Sequence, residues 1–396
     1  MRPSQKQLSE FRFFFEKMHT EIGKFYQEAP PMGDLGLIKK MLIAFFAGGH
    51  VLLEGIPGLG KTELVKTLVQ VLGWSNQTTQ GQQAGYRRIQ FTPDLMPLDI
   101  VGSYIFSKEK EGNPFAFQEG PIFTHILLAD EINRASPKTQ SALLQGMAEL
   151  EVSYGNETRG LGVIKTSKGQ SVLSQEKSDR LFFVVGTQNP IEQQGTYPLP
   201  EAQLDRFFFK LNTPLPKLQV MVNILNNTTG GEPPVINPVE EKSPHEIAAQ
   251  VIQFRKLIRM IWVEEEALEY LSMLALQTWP EDLPLAQDIH EGLDVLNEIN
   301  QETFQAKRLE LQQNINENVQ MGIGPRGVQT LLMAIKVLAA LENREVVTAA
   351  FVVDQVKKVL KDAWRHRLLL NFHAENNRIT TDDILDSLLD NLWEPG

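Results

Sequence analysis

Residues 50–62 read HVLLEGIPGLGKT, a short apolar run that breaks into a glycine-rich loop and closes on a lysine and a threonine. The loop Gly55 to Thr62 fits G-x-x-x-x-G-K-[ST], in which Gly55, Gly58 and Gly60 let backbone N–H groups turn towards phosphate oxygens with no Cβ in the way. Lys61 is placed to bring a point charge to β- and γ-phosphates and Thr62 a hydroxyl to Mg²⁺, with Leu59 and Glu63 beside them in the same cradle. The flanks commit the chain to a fold. HVLLE suits a buried parallel strand, and TELVKTLVQVL carries Leu64, Val65, Leu68 and Leu72 at helical spacing. Strand, loop and helix in that order aim a helix N-terminus at the phosphates. An ordinary glycine-rich turn is the plainer alternative, and it accounts for neither flank.

A second element completes the chemistry. THILLA, residues 124–129, is an apolar strand core followed by Asp130 and Glu131. Open α/β sheets bind ligands at the carboxyl ends of their strands. Magnesium held through phosphates takes one or two carboxylates, a role that fits Asp130 beside Thr62. Glu131, one residue further out, is placed to orient and deprotonate an attacking water. The alternative for the pair is a solvated helix start.

The 396 residues are enough for two or three cores, and 42% hydrophobic with 22% charged residues is the balance of a globular protein. A formal charge of −11 argues against a chiefly electrostatic nucleic-acid binder, so no nucleic-acid partner is expected. With no cysteine there is no disulfide, thiolate zinc site or cysteine nucleophile, which is compatible with a reducing cytoplasm, the expected location. The one uncharged run longer than 18 residues, 67–86, is rich in Gln, Thr and Gly and not apolar, so no membrane span is expected. The seven histidines show no ligand-like spacing, and the only metal expected is the nucleotide's magnesium.

Along the chain, residues 1–30 read as an aromatic helix (Phe11, Phe14, Phe15, Met18, Ile22, Phe25) closed by Pro30 and Pro31, and residues 35–47 as a second helix. Further core strands are expected at 86–91, 124–129, 181–186 and 207–211. Their alternation with helices implies an α/β fold with a five-stranded parallel sheet sandwiched by helices over residues 31–213. Two hairpins interrupt it, at about 99–119 and 150–174. The first is joined by SKEKEGNP, and the second has a Tyr-Gly-Asn-Glu turn and a Lys-Gly-Gln turn. They are candidates for substrate or partner contact, with simple surface decoration as the alternative. Residues 214–244, with six prolines in the span 212–244, read as a linker or irregular connection, and 245–396 as an all-helical second domain.

Five strings now carry a family likeness: GGHVLLEGIPGLGKT (48–62), GPIFTHILLADEINRASPKTQSALLQGMAE (120–149), VVGTQNP (184–190), YPLPEAQLDRF (197–207) and GPRGVQTLL (324–332). They resemble the MoxR group of AAA+ ATPases, over roughly residues 35–370 and in the family's order. The magnesium-chelatase ATPase subunit and other AAA+ proteins with an insert in helix 2 share the architecture but fit these strings less closely.

The resemblance implies a P-loop AAA+ domain with a C-terminal lid, ATP and Mg²⁺ as ligands, and ATP hydrolysis. It also implies roles for three further residues. Asn189 looks like sensor 1, bridging γ-phosphate and water. Arg206 looks like the arginine finger for a neighbouring subunit, with an ion pair to Asp205 or Glu201 as the alternative. Arg326 looks like sensor 2, with solvation at a helix start as the alternative. A homo-oligomeric ring of six is implied, acting as a chaperone-like machine on a protein client. Such machines often insert a metal cofactor, and commonly work with a partner bearing a von Willebrand factor A domain. Where the family usually has Val-Gly-Gln near the adenine, this chain has Met32, Gly33 and Asp34. The N-terminal helix, the long second hairpin and an acidic tail from about Asn371 stand outside the shared pattern. Two other classes stay open. A nucleic-acid-associated motor would want a basic hairpin, whereas the first hairpin sets Lys108 and Lys110 against Glu109, Glu111 and Glu119. A nucleotide-gated scaffold would lack Glu131 or Arg206.

Overall fold

The computed structural model describes residues 2–26, 28, 30, 33–56, 58–74, 85–106, 115–154, 157–163, 176–190, 195–213, 215, 218–229, 234–281 and 302–393. They form two compact units. One comprises residues 13–207 and 211–256, the other residues 1–12, 208–210 and 257–396.

The first unit is built round strands β1 (Val51–Glu54), β2 (Tyr86–Gln90), β5 (Ile126–Asp130) and β8 (Phe183–Gln188), and β9 (Phe209–Asn212) belongs to it from Leu211 on. They make a five-stranded parallel sheet in the order β2-β5-β8-β1-β9. All five residues of β5 are buried, as are the first five of β8, because helices cover both faces. Leu52, Leu127, Ala129 and Val184 point into one core, shared with Leu143, Leu144 and Met147 of helix α5 (Pro137–Glu149). On the other face Phe183 meets Phe45 of helix α2 (Leu37–Ala47) at 5.2 Å. Helix α1 (Gln5–Phe25) adds Phe14 and Phe15, whose rings pack on Phe46 at 6.2 and 5.7 Å. Edge strand β2 buries only Tyr86 and Ile89, so Arg87, Arg88 and Gln90 lie outside the core.

Helix α3 (Lys61–Val71) follows the loop and buries Leu64, Val65 and Leu68 as their spacing requires. The short helix α4 (Pro97–Val101) leads into β3 (Gly102–Phe106), which pairs antiparallel with β4 (Phe115–Glu119). β6 (Glu151–Tyr154) pairs with β7 (Glu157–Gly160). Both hairpins thus stand outside the sheet as expected. The SKEKEGNP turn at 107–114 and the Lys-Gly-Gln turn lie outside the described residues.

After α6 (Glu201–Leu204), the stretch expected as an irregular connection contains helix α7 (Leu218–Thr229), and this corrects the sequence expectation. The prolines flank these twelve residues without interrupting them, and Leu218, Met221, Val222 and Leu225 recur at helical spacing. Helix α8 (Pro244–Arg259), expected in the second domain, belongs to the first unit as far as Lys256. The physical reason is packing: Phe254 meets Phe14 at 5.3 Å, and the buried Arg255 donates from Nε and Nη2 to Phe45 O at 3.0 and 2.7 Å.

The second unit contains α9 (Glu265–Leu276), α10 (Glu302–Asn318), α11 (Pro325–Leu341), α12 (Ala349–Trp364), α13 (Phe372–Asn376) and α14 (Thr381–Asp390). It is helical but not all-helical. β10 (Trp262–Val263) pairs with β12 (Val346–Val347), and β11 (Val319–Met321) with β13 (Leu369–Leu370), where short apolar runs link the helices. The expected acidic tail is also revised. α14 buries Ile384, Leu385 and Leu388, and the Trp393 ring stacks 4.2 Å from Tyr270, because these apolar residues share one helical face despite the surrounding aspartates. No helix among the described residues is long and apolar enough to cross a membrane.

Candidate functional site

The loop forms where β1 ends. Gly55 N–H donates to Gln188 O at 3.3 Å, tying the loop to the end of β8. Thr213 donates from N and Oγ1 to Glu54 O at 2.7 and 2.9 Å, and so presses against the loop. A Cβ on Gly55 would lie 1.8 Å from Thr213 Oγ1, which explains why a glycine stands there. Gly60 caps α3 at φ 74°, a left-handed turn that exposes the helix N-terminus. Thr62 and Glu63 are half-buried in its first turn. Leu59 is half-buried, and Gly58 is exposed at φ 83°.

Lys61 Nζ donates to Gly55 O at 2.5 Å and to Gln188 O at 3.4 Å. Burial lowers its pKa, against the opposing pull of the Asp130, Glu131 and Glu54 carboxylates. The ammonium therefore sits amid three negative charges, bonded to carbonyls at the mouth of the loop, where phosphate oxygens compete well for it.

Asp130 is the last residue of β5 and not the first beyond it. Its Oδ2 accepts from Arg88 Nη2 at 2.6 Å and Nε at 3.2 Å, and its Oδ1 from Thr187 Oγ1 at 2.6 Å. Glu131 turns the chain at φ 57°, ψ 49°. Its N–H donates to Thr187 Oγ1 at 2.9 Å, and its carboxylate Oε2 accepts from Gln90 Nε2 at 2.5 Å, with Arg134 Nε at 3.3 Å. Ser136, with Pro137 at the first helical position, then caps α5 and ends the turn.

Asn189 follows β8 and is buried, its backbone carbonyl accepting from Asn133 Nδ2 at 3.5 Å. The fold thus brings Lys61, Asp130, Glu131 and Asn189 to the carboxyl ends of adjacent parallel strands. Arg206 is half-buried just after α6 in the same unit, and no hydrogen bond or ion pair among the described residues joins it to the loop or to the two acids. Arg326 is exposed at the second residue of α11, in the other unit. Met32 lies outside the described residues. Asp34 bonds Lys40 at 2.9 Å and accepts from Gly36 N at 2.8 Å.

Four residues here escaped the sequence reading. Arg88 and Gln90 share one side of β2, a period-two signal, but the sequence does not say that β5 is its neighbour. Thr187 lies inside the quoted VVGTQNP string with nothing to mark its hydroxyl. Tyr26, at the end of α1, lies over the loop, its ring 3.4 Å from where a Gly60 Cβ would be. Burial pushes its pKa up to about 12.

A hard-oxygen set of Thr62 hydroxyl and Asp130 carboxylate suits magnesium, and the Arg88 guanidinium already against Asp130 shows that this carboxylate accommodates a cation.

Two family models match: "ATPase family associated with various cellular activities (AAA)" over residues 50–209, and "AAA lid domain" over residues 311–388. The chain is 31% identical to Chaperone MoxR1 of Mycobacterium tuberculosis, over 92% of this chain and 79% of that protein. It is 31% identical to the uncharacterised protein YeaC of Bacillus subtilis, over 94% and 95% of the two chains. Protein MoxR of Methylorubrum extorquens is 25% identical over 93% and 92%. A crystal structure of an ATPase candidate from Cytophaga hutchinsonii superposes with a TM-score of 0.72 at 28% identity, covering 98% of this chain and 97% of that one.

Proposed function

The chain belongs to the MoxR family of AAA+ ATPases and is an ATP hydrolase, and from that premise we propose that it uses ATP turnover in a ring of like subunits to remodel or mature a partner protein. The observation that carries the reading is the junction at the strand ends: Lys61 on the phosphate side, and Asp130 and Glu131 on the water side.

Backbone N–H groups of Gly58 to Thr62 and the Lys61 ammonium bind the triphosphate. The Thr62 hydroxyl and the Asp130 carboxylate would hold magnesium, which would supply charge neutralisation to the triphosphate. Glu131 leaves Gln90 and Arg134 to take a proton from water, and Asn189 orients that water against the γ-phosphate. Arg206 serves the neighbouring subunit's site in trans, and Arg326 is kept as sensor 2; both roles rest on the family likeness. Remodelling is drawn from the name of the mycobacterial relative. A ring of six, a partner with a von Willebrand factor A domain, insertion of a metal cofactor into the client and a cytoplasmic setting are drawn from the family alone.

Mixing experiments test the shared site. Arg206→Ala subunits, mixed with Glu131→Gln subunits, should regain turnover that neither shows alone, because each supplies what the other lacks. Equal silence in the mixture refutes the role in trans.

A further inference from the structure

We propose that Thr187 is a positioning residue for both acids of the site, an inference that rests on the roles given to Asp130 and Glu131 above. Its hydroxyl is buried, at 1% exposure for the residue, and stands between the two. Oγ1 donates to Asp130 Oδ1 at 2.6 Å and accepts from Glu131 N at 2.9 Å. A hydroxyl has one proton to give. Giving it to the carboxylate leaves a lone pair for the amide, so both bonds are satisfied by one rotor position.

Each bond fixes something the chemistry needs. Asp130 Oδ2 is held by Arg88, so the Thr187 bond to Oδ1 clamps the carboxylate plane from its second side. The backbone ladder of β5 with β8 ends at Ala129 and Gly186. One step beyond, the Thr187 side chain takes over as the acceptor for Glu131 N–H. That bond anchors Glu131 at φ 57°, in the left-handed region that disfavours a non-glycine residue. This turn directs its carboxylate to Gln90 and Arg134.

Position in the strand adds a second argument. Gln188, the last residue of β8, points to the side opposite Thr187 and donates to Glu54 Oε1 at 2.5 Å. The end of β8 thus turns the Thr187 hydroxyl towards the acids and the Gln188 amide away from them. A valine would fill the same volume and suit the strand equally well, so the strand itself gives no reason for a hydroxyl here.

Thr187→Val deletes donor and acceptor at constant shape, and Thr187→Ser restores both without the methyl group. ATP affinity, kcat, KM, the Mg²⁺ concentration for half-maximal nucleotide binding and the melting temperature are measured for both, with Glu131→Gln alongside. Thr187→Val should keep ATP affinity within about threefold and lose about tenfold to a hundredfold in kcat, since misplacing a reacting group by an ångström costs that much. Its Mg²⁺ midpoint should rise, and Thr187→Ser should recover most of the lost kcat. Wild-type kcat in Thr187→Val beside a silent Glu131→Gln overturns the inference and leaves the ATPase reading intact. Wild-type kcat in Glu131→Gln overturns the base assignment, and the role of Thr187 with it. If Thr187→Val melts early and Thr187→Ser, fully folded, fails to regain kcat, the hydroxyl does not position the acids.

Discussion

Acidification should unload stability from the sheet through two buried histidines, and His50 allows the effect to be isolated. His50 Nε2–H donates to Met147 O at 3.2 Å, and its Nδ1 accepts from Val184 N at 3.1 Å, which fixes one neutral tautomer between β1, α5 and β8. Burial, opposed by the Met147 carbonyl and aided by the Arg255 charge, lowers its pKa from 6.5 to about 4. In the unfolded chain the ring binds its proton below pH 6.5. The unfolded state therefore holds more protons between pH 6.5 and 4, so stability is full above 6.5 and falls as pH drops through that window. At pH 5 the loss from His50 alone is about 2 kcal/mol. His125, whose Nδ1 lies 3.0 Å from Leu181 O and whose burial takes its pKa to about 4, adds a similar loss in the same window. Urea denaturation of wild type and His50→Gln at pH 7.5 and 5.0 separates His50 from every other titrating group. The variant starts less stable, but wild type should lose about 2 kcal/mol more than it does on acidification. Equal losses in the two proteins would refute the buried neutral imidazole as the source.

Two other substitutions probe the frame that holds the site. Gly55→Ala drives a Cβ to 1.8 Å from Thr213 Oγ1 and 3.0 Å from Thr213 O, so urea denaturation should show a loss of about 1–3 kcal/mol. Adding Thr213→Ala should return part of it, and strictly additive effects would contradict the contact. Arg255→Ala leaves Phe45 O without its two guanidinium bonds and opens a space beside the Phe45 ring, 5.3 Å from the guanidinium carbon; about 3 kcal/mol should be lost in the same assay. A loss below about 0.5 kcal/mol would show that the α2–α8 contact does not depend on it.

β1, β5 and β8 were legible as short apolar runs between helical stretches, β2 and β9 by their place in the alternation of strands and helices, and the phosphate loop because its chemistry dictates its glycines. Strand order was not legible: β2 pairs with β5 and β5 with β8, partners dozens of residues apart that no local pattern reveals. That is why Lys61, Asp130 and Glu131 could be named from the sequence, whereas Arg88, Gln90 and Thr187, which hold the acids, could not. Proline count misled at α7, since prolines at 214, 216, 233 and 234 bound a helix as readily as they mark a loop. α14 lies in the stretch read as helical, and its buried face of Ile384, Leu385 and Leu388 adds that the acidic tail is packed.

The central claim, that these strand ends form an ATP-hydrolysing site with Glu131 as its base, is tested most directly by single-turnover hydrolysis in Glu131→Gln, with ATP binding measured on the same sample. The account predicts binding within about twofold of wild type and chemistry slowed by about a hundredfold or more. Wild-type hydrolysis by that variant, with binding intact, would contradict it.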